Sequence, residues 1–104
     1  MRAPGDLKKE IEIRLKKYLS RDKTGVRRAI LDIFMKVRSL TVAEIYTHLQ
    51  SKFTLTYHSV ASMVGIIASR IGILHVRRSP DTATSFYELK QQYVDIVVRV
   101  TGHV

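Results

Sequence analysis

Apolar residues recur at helical spacing through most of this chain. Over residues 6–20, Leu7, Ile11, Leu15, Tyr18 and Leu19 fall on one stripe, and Lys8, Lys9, Glu12, Lys16 and Lys17 cover the other side. That pattern predicts an amphipathic helix with Asp6 as its N-cap. After a polar break at 20–25, Val26, Ile30, Ile33, Phe34 and Val37 predict a second helix over about 25–38, with Thr24 placed to cap it. Arg27, Arg28, Lys36 and Arg38 leave that helix strongly basic. A third helix, from 42 to about 53, carries the stripe Val42, Ile45, Tyr46, Leu49 and Phe53. It opens on Thr41 and Glu44, whose spacing is that of a capping box.

A short break at Thr54 and Leu55 precedes a fourth helix, 56–71, with Thr56 as N-cap. Val60, Met63, Val64, Ile67 and Ile71 point inward, and Gly72 suits a left-handed cap. Gly65 sits mid-helix at a cost of about 1 kcal/mol against Ala. Either a neighbouring backbone comes close there, or the cost was never selected against. Residues 73–78 and 85–89 read as paired strands around the turn-rich stretch 79–84. From Lys90 the signals conflict. The β-branched residues Val94, Ile96, Val97, Val98 and Val100 favour a strand, while Tyr93, Val97 and Val100 are spaced as a helix; a helix is the reading adopted.

The order predicts a mainly α chain with a small antiparallel β-wing: a winged helix-turn-helix with added N- and C-terminal helices. Residues 1–104 form one domain, divided into a 1–24 helical extension, a 25–89 winged-helix core and a 90–104 C-terminal helix.

Charge sharpens this picture. The chain of 104 residues carries net charge +9. Residues 1–40 hold twelve basic and five acidic residues, against six and four in the remainder. A one-sided basic surplus is a footprint for phosphate backbones, although it also solubilises a surface. There is no cysteine and no long apolar run, which argues against a disulfide framework and a membrane span. Residues 1–5 are not an apolar signal core, so a cytoplasmic protein is expected.

The fourth helix has no acidic residue. Tyr57 stands at its entrance, and His58, Ser59, Ser62, Gly65, Ile66 and Ser69 lie on its outward positions. A helix that enters the major groove needs little bulk, little negative charge and hydrogen-bonding groups near its N-terminus. An ordinary polar face more often carries Lys and Glu pairs, so recognition is the preferred reading. Arg77 and Arg78 begin the wing, where arginines suit phosphates or a narrow minor groove. They equally guard an edge strand against aggregation. Strand alternation sends them to opposite faces, so one of the two is expected to reach DNA. Lys23 and Arg27, at the start of the second helix, are candidate backbone clamps, with a solvated face as the alternative.

No catalytic signature is present. There is no nucleophile elbow, phosphate-binding Gly-rich loop or HExxH, so the chain is not expected to be an enzyme. His48, His58, His75 and His103 do not form a tight metal spacing, and neither a metal nor a cofactor is expected.

The stretches Arg28–Phe34 (RAILDIF), Leu40–Leu49 (LTVAEIYTHL), Ser59–Ile67 (SVASMVGII) and the helix exit Gly72–Leu74 resemble winged helix-turn-helix DNA-binding domains. The piece TVAEIY is similar to the DNA-binding half of ferric-uptake-type regulators. The spacing to Gly72 departs from theirs and a metal-binding dimer domain is missing, so iron sensing is not implied. The whole chain, with its basic N-terminal helix, resembles a small archaeal winged-helix family of uncharacterised function. The resemblance implies a reader helix at 57–71 and a wing at 77–85.

The expected function is therefore duplex DNA binding in transcriptional control. The helices 6–20 and 90–100 are the expected elements of a homodimer, because uncovered apolar stripes require a partner; packing on their own domain is the alternative. A protein-interaction module in a larger assembly and a non-specific architectural nucleic-acid binder remain as rival functions.

Overall fold

A computed structural model describes residues 4–102, and residues 1–3 and 103–104, including His103, lie outside the described part. Helices α1 (Pro4–Ser20), α2 (Val26–Lys36), α3 (Val42–Gln50) and α4 (Tyr57–Ile66) come first; α4 continues as a π-turn over Ile67–Ile71. Strands β1 (Leu74–Arg78) and β2 (Ser85–Leu89) follow, then a 3-10 turn at Gln91–Tyr93 and helix α5 (Val94–Thr101). The strands pair antiparallel, with Leu74 opposite Leu89, Val76 opposite Tyr87 and Arg78 opposite Ser85. On the other edge of β2, Leu40 and Tyr87 exchange backbone hydrogen bonds of 2.9 and 2.7 Å. This bridge ties the wing to the connection between α2 and α3. The chain is thus mainly helical with a small β-wing, in winged-helix order, with a helix added at each end.

The helix starts are encoded locally. At α3 the Thr41 hydroxyl accepts the Glu44 amide at 3.2 Å, and the Glu44 carboxylate accepts the Thr41 amide at 2.8 Å. The predicted capping box is therefore formed. Thr41→Ala removes one of its two bonds and is expected to cost about 1 kcal/mol, several degrees of melting temperature. A thermal melt checks this; an unchanged midpoint would mean that the cap adds nothing. Thr56 caps α4 by accepting the Ser59 amide at 3.1 Å.

Other boundaries differ from the sequence reading. Asp6 lies within the first turn of α1 and not at its cap. Gly25, with φ +86°, occupies the N-cap of α2, and Thr24 meets only the Val26 amide, at 3.4 Å. Asp22 does the capping from the loop: its carboxylate accepts the amides of Arg27 (3.2 Å) and Arg28 (3.1 Å). A carboxylate beside unpaired helix amides is favoured by both hydrogen bonding and the helix dipole. Helices α2 and α3 end a little earlier than their apolar stripes suggest. The region after Lys90 is helical, as read.

The fourth helix is not α throughout. Beyond Ile66 the hydrogen bonding widens, the Gly72 amide reaching the Ile67 carbonyl at 3.0 Å. Ile67 and Ile71 both stay buried, and Gly72, at φ +83°, turns the chain into β1. An ideal Cβ at Gly65 meets nothing within 4 Å. No backbone of the described residues crowds that position.

One core joins all the elements. It contains Ile11 and Leu15 of α1, Ile30, Leu31 and Phe34 of α2, Ile45 and Leu49 of α3, and Val60, Val64, Ile67 and Ile71. Leu40, Ile73, Leu74, Leu89, Tyr93, Ile96 and Val97 complete it from the connections, the wing, the 3-10 turn and α5. Helix α1 packs on α5 and on the π-turn. The stripes expected to seek a second copy are thus largely covered within the chain, because each terminal helix supplies the apolar face the other needs. Only Leu7 and Ile13 of α1 remain exposed large hydrophobics. Two ion pairs cross the α1–α5 contact, Arg99 to Glu12 at 2.6 Å and Lys8 to Asp95 at 3.8 Å. The hydrogen bond from Lys16, joined by Arg99, holds the Glu12 carboxyl below its ordinary range. No helix among the described residues is long and apolar enough to cross a membrane.

Candidate nucleic-acid interface

The outward face of α4 is open. Tyr57, His58, Ser59, Ser62 and Ser69 are all exposed. No acidic residue occupies the first turn, so the partial positive charge of the helix N-terminus is not offset locally. Tyr57 is held from one side: its ring meets that of Tyr46 on α3 edge-to-face, with centroids 5.8 Å apart at 76°. Such a pair fixes the tyrosine at the helix entrance while half of it stays in solvent. The Ser69 hydroxyl donates to the Gly65 carbonyl at 2.7 Å, so its proton is already used within the helix.

Beside this face runs a groove of ≈ 640 Å³, lined by Arg21, Asp22, Lys23 and Arg27 before α2 and at its start and by Ser59 and Ser62 of α4. The fold therefore brings four of the candidate residues together: Lys23, Arg27, Ser59 and Ser62. Tyr57, His58 and Ser69 share the helix but not the groove lining. Arg77 and Arg78 stand apart on the wing, both exposed, with Phe86 and Ser85 as their cross-strand neighbours. Their successive positions on β1 point them to opposite faces.

Arg27 differs from the free clamp anticipated for it. It is half-buried, donates to the Tyr18 carbonyl at 2.7 Å and lies 4.2 Å above the Tyr18 ring. It joins α2 to α1 before it meets any ligand. Burial, reinforced by Asp22 and opposed by Arg27, raises the Tyr18 phenol above its ordinary value. Lys23, by contrast, is exposed.

A second groove, of ≈ 450 Å³, adjoins the first through Arg21 and Arg27 and also gathers Arg14, Lys17 and Arg70. The sequence reading missed these three cations and Arg21. Arg14, Lys17 and Arg21 follow one another at i, i+3 and i+7, a basic stripe legible as helical spacing. Arg70 carries no comparable signal, since only the fold brings α1 against the end of α4.

Residues 15–97 match a family model described as "Protein of unknown function (DUF2551)". The chain belongs to this family. A similar relative is an "Uncharacterized protein" of Archaeoglobus fulgidus, 36% identical over 92 residues, which cover 88% of this chain and 92% of that protein. No solved structure matches the chain. The family span reaches from Leu15 in α1 to Val97 in α5, so it takes in both terminal helices in part, the whole wing and most of the cationic groove residues.

Proposed function

We propose that this protein binds duplex DNA and acts in transcriptional control, with α4 in the major groove and the wing on the backbone or minor groove. The observation that carries the reading is the exposed, carboxylate-free face of α4 lying beside a groove lined by Arg21, Lys23 and Arg27, whose one carboxylate, Asp22, is taken up by the α2 amides. Small hydroxyl side chains and cations lining one groove suit base edges and phosphates respectively. His58 and Ser62 are assigned to base contacts. Tyr57, Ser59 and Ser69 are assigned to the flanks of the reader, Lys23 and Arg27 to one backbone strand, and Arg77 or Arg78 to the wing contact. A cytoplasmic location is part of this proposal.

Pairing of two copies on a two-part site is part of this proposal, although much of the α1 and α5 stripes is already buried within the chain. Sedimentation of the protein with and without a two-part site tests the pairing, a single copy on DNA arguing against it.

Affinity measured on a panel of sequences tests the function. Ala at His58 or Ser62 is expected to cost about 1–3 kcal/mol at the preferred site and much less on random DNA. Ala at the DNA-facing wing arginine is expected to weaken binding evenly across sequences and to lower the salt slope by about one unit. Equal losses from His58 and Ser62 on all sequences would place them on the backbone. Affinity without sequence preference would favour an architectural binder, and no DNA affinity at all would favour a protein-interaction module.

A further inference from the structure

We propose that α1 and the π-turn at the end of α4 form a second phosphate-binding surface, which holds one strand of the DNA backbone along the flank of the reader helix. This rests on the DNA reading above and extends it to residues outside the winged-helix core. Three observations carry it. First, the groove between α1 and the π-turn presents Arg14, Lys17, Arg21, Arg27 and Arg70 around Ile66, and no carboxylate is among its lining residues. Second, three of these cations are available. Arg14 pairs with Glu10 at 3.1 Å, and Arg27 is committed to Tyr18. The side chains of Lys17, Arg21 and Arg70 are exposed and make no ion pair or hydrogen bond among the described residues.

Third, the surface is continuous. Arg21 and Arg27 line both this groove and the one that holds Ser59 and Ser62. Ser59, Ser62 and Ile66 succeed one another at spacings of three and four on one flank of α4, and Arg70 of the π-turn lines the same groove as Ile66. Two adjoining grooves lined by cations therefore flank α4 and its π-turn, and the one carboxylate in their lining, Asp22, is bound to the α2 amides. A helix seated in a major groove about 12 Å wide has a sugar–phosphate strand on either side. The strand on the α1 side would lie along these grooves. Two adjoining grooves fit a polymer better than a single small anion. The Arg14 guanidinium also donates to the Arg70 carbonyl at 3.4 Å, which helps to fix α1 against the π-turn.

The test compares the full chain with a Lys17→Ala/Arg21→Ala/Arg70→Ala variant in duplex binding between about 50 and 200 mM salt. These side chains lack intramolecular partners, so the melting temperature should stay close to the parent's. Three lost phosphate contacts should reduce the slope of log K against log salt by roughly 2.7, and reduce affinity by on the order of a hundredfold or more at about 100 mM salt. The ranking of sequences should not change. Should the triple variant melt early, Lys17→Gln alone should still lower the slope by about one unit. A parent that binds while both variants keep its slope overturns the proposal and leaves the DNA reading standing. A parent that binds no duplex at about 50 mM salt removes both. Loss of inorganic pyrophosphate binding in the variant, with an unchanged DNA slope, also overturns it, in favour of a small-anion site.

Discussion

Removal of residues 1–20 is expected to unfold the chain. These residues include Ile11 and Leu15, which are 3% and 0% exposed and belong to the common core. Full burial of such a side chain is worth about 1.5–3 kcal/mol. Loss of α1 also bares the surfaces of α5 and the π-turn on which it packs, so the penalty exceeds the two side chains alone. A domain of this size has a total stability of only about 5–15 kcal/mol. A gentler version is Leu15→Ala, expected to cost about 2–5 kcal/mol and at least roughly 10 °C in melting temperature. Circular dichroism with thermal and urea denaturation checks both. A truncated chain that still melts cooperatively near the parent's midpoint would show α1 to be a dispensable appendage, and its apolar stripe would again be open to a second copy.

Affinity for duplex DNA is expected to fall by between about 10² and 10³ as salt rises from about 50 to 200 mM. The estimate takes roughly four to six phosphate contacts per copy, each contributing about 0.9 to the slope of log K against log salt. The net charge of +9 and the groove cations are the motive. Fluorescence anisotropy on several unrelated duplexes measures it. A shallow slope with tight binding would mean that base contacts and buried surface, not phosphates, supply the affinity. Absence of binding at the lowest salt would withdraw nucleic acid as the partner.

Much of the architecture is legible in short stretches of the chain. The capping box at Thr41 and Glu44, the cap at Thr56, the Gly72 stop and the paired strands around residues 79–84 all lie within a few residues of the bonds they make. The helix after Lys90 shows where periodicity outweighs propensity. Its β-branched residues favoured a strand, but Tyr93 and Val97 at helical spacing both had to reach one core, and that requirement prevailed. Of the candidate interface, the face of α4 is readable because it is one side of one helix. The contacts of Arg27 are not legible in the same way, because its partner, Tyr18, lies on a different helix and takes up the guanidinium by both a hydrogen bond and ring contact.

The sequence alone determined the elements, their order, the open face of α4 and the basic surplus of the first forty residues, since helix and strand periods, caps and charge counts are local properties. Tertiary structure decided how faces met. It covered α1 with α5, placed Asp22 over the amides of α2, widened the end of α4 into a π-turn and brought Arg14 to the Arg70 carbonyl, 56 residues away. An apolar stripe states that it must be buried but not against what. That choice depends on which surfaces fit together once the whole chain packs, and here it laid much of the α1 and α5 stripes into one core and made one flank of α4 a cationic groove.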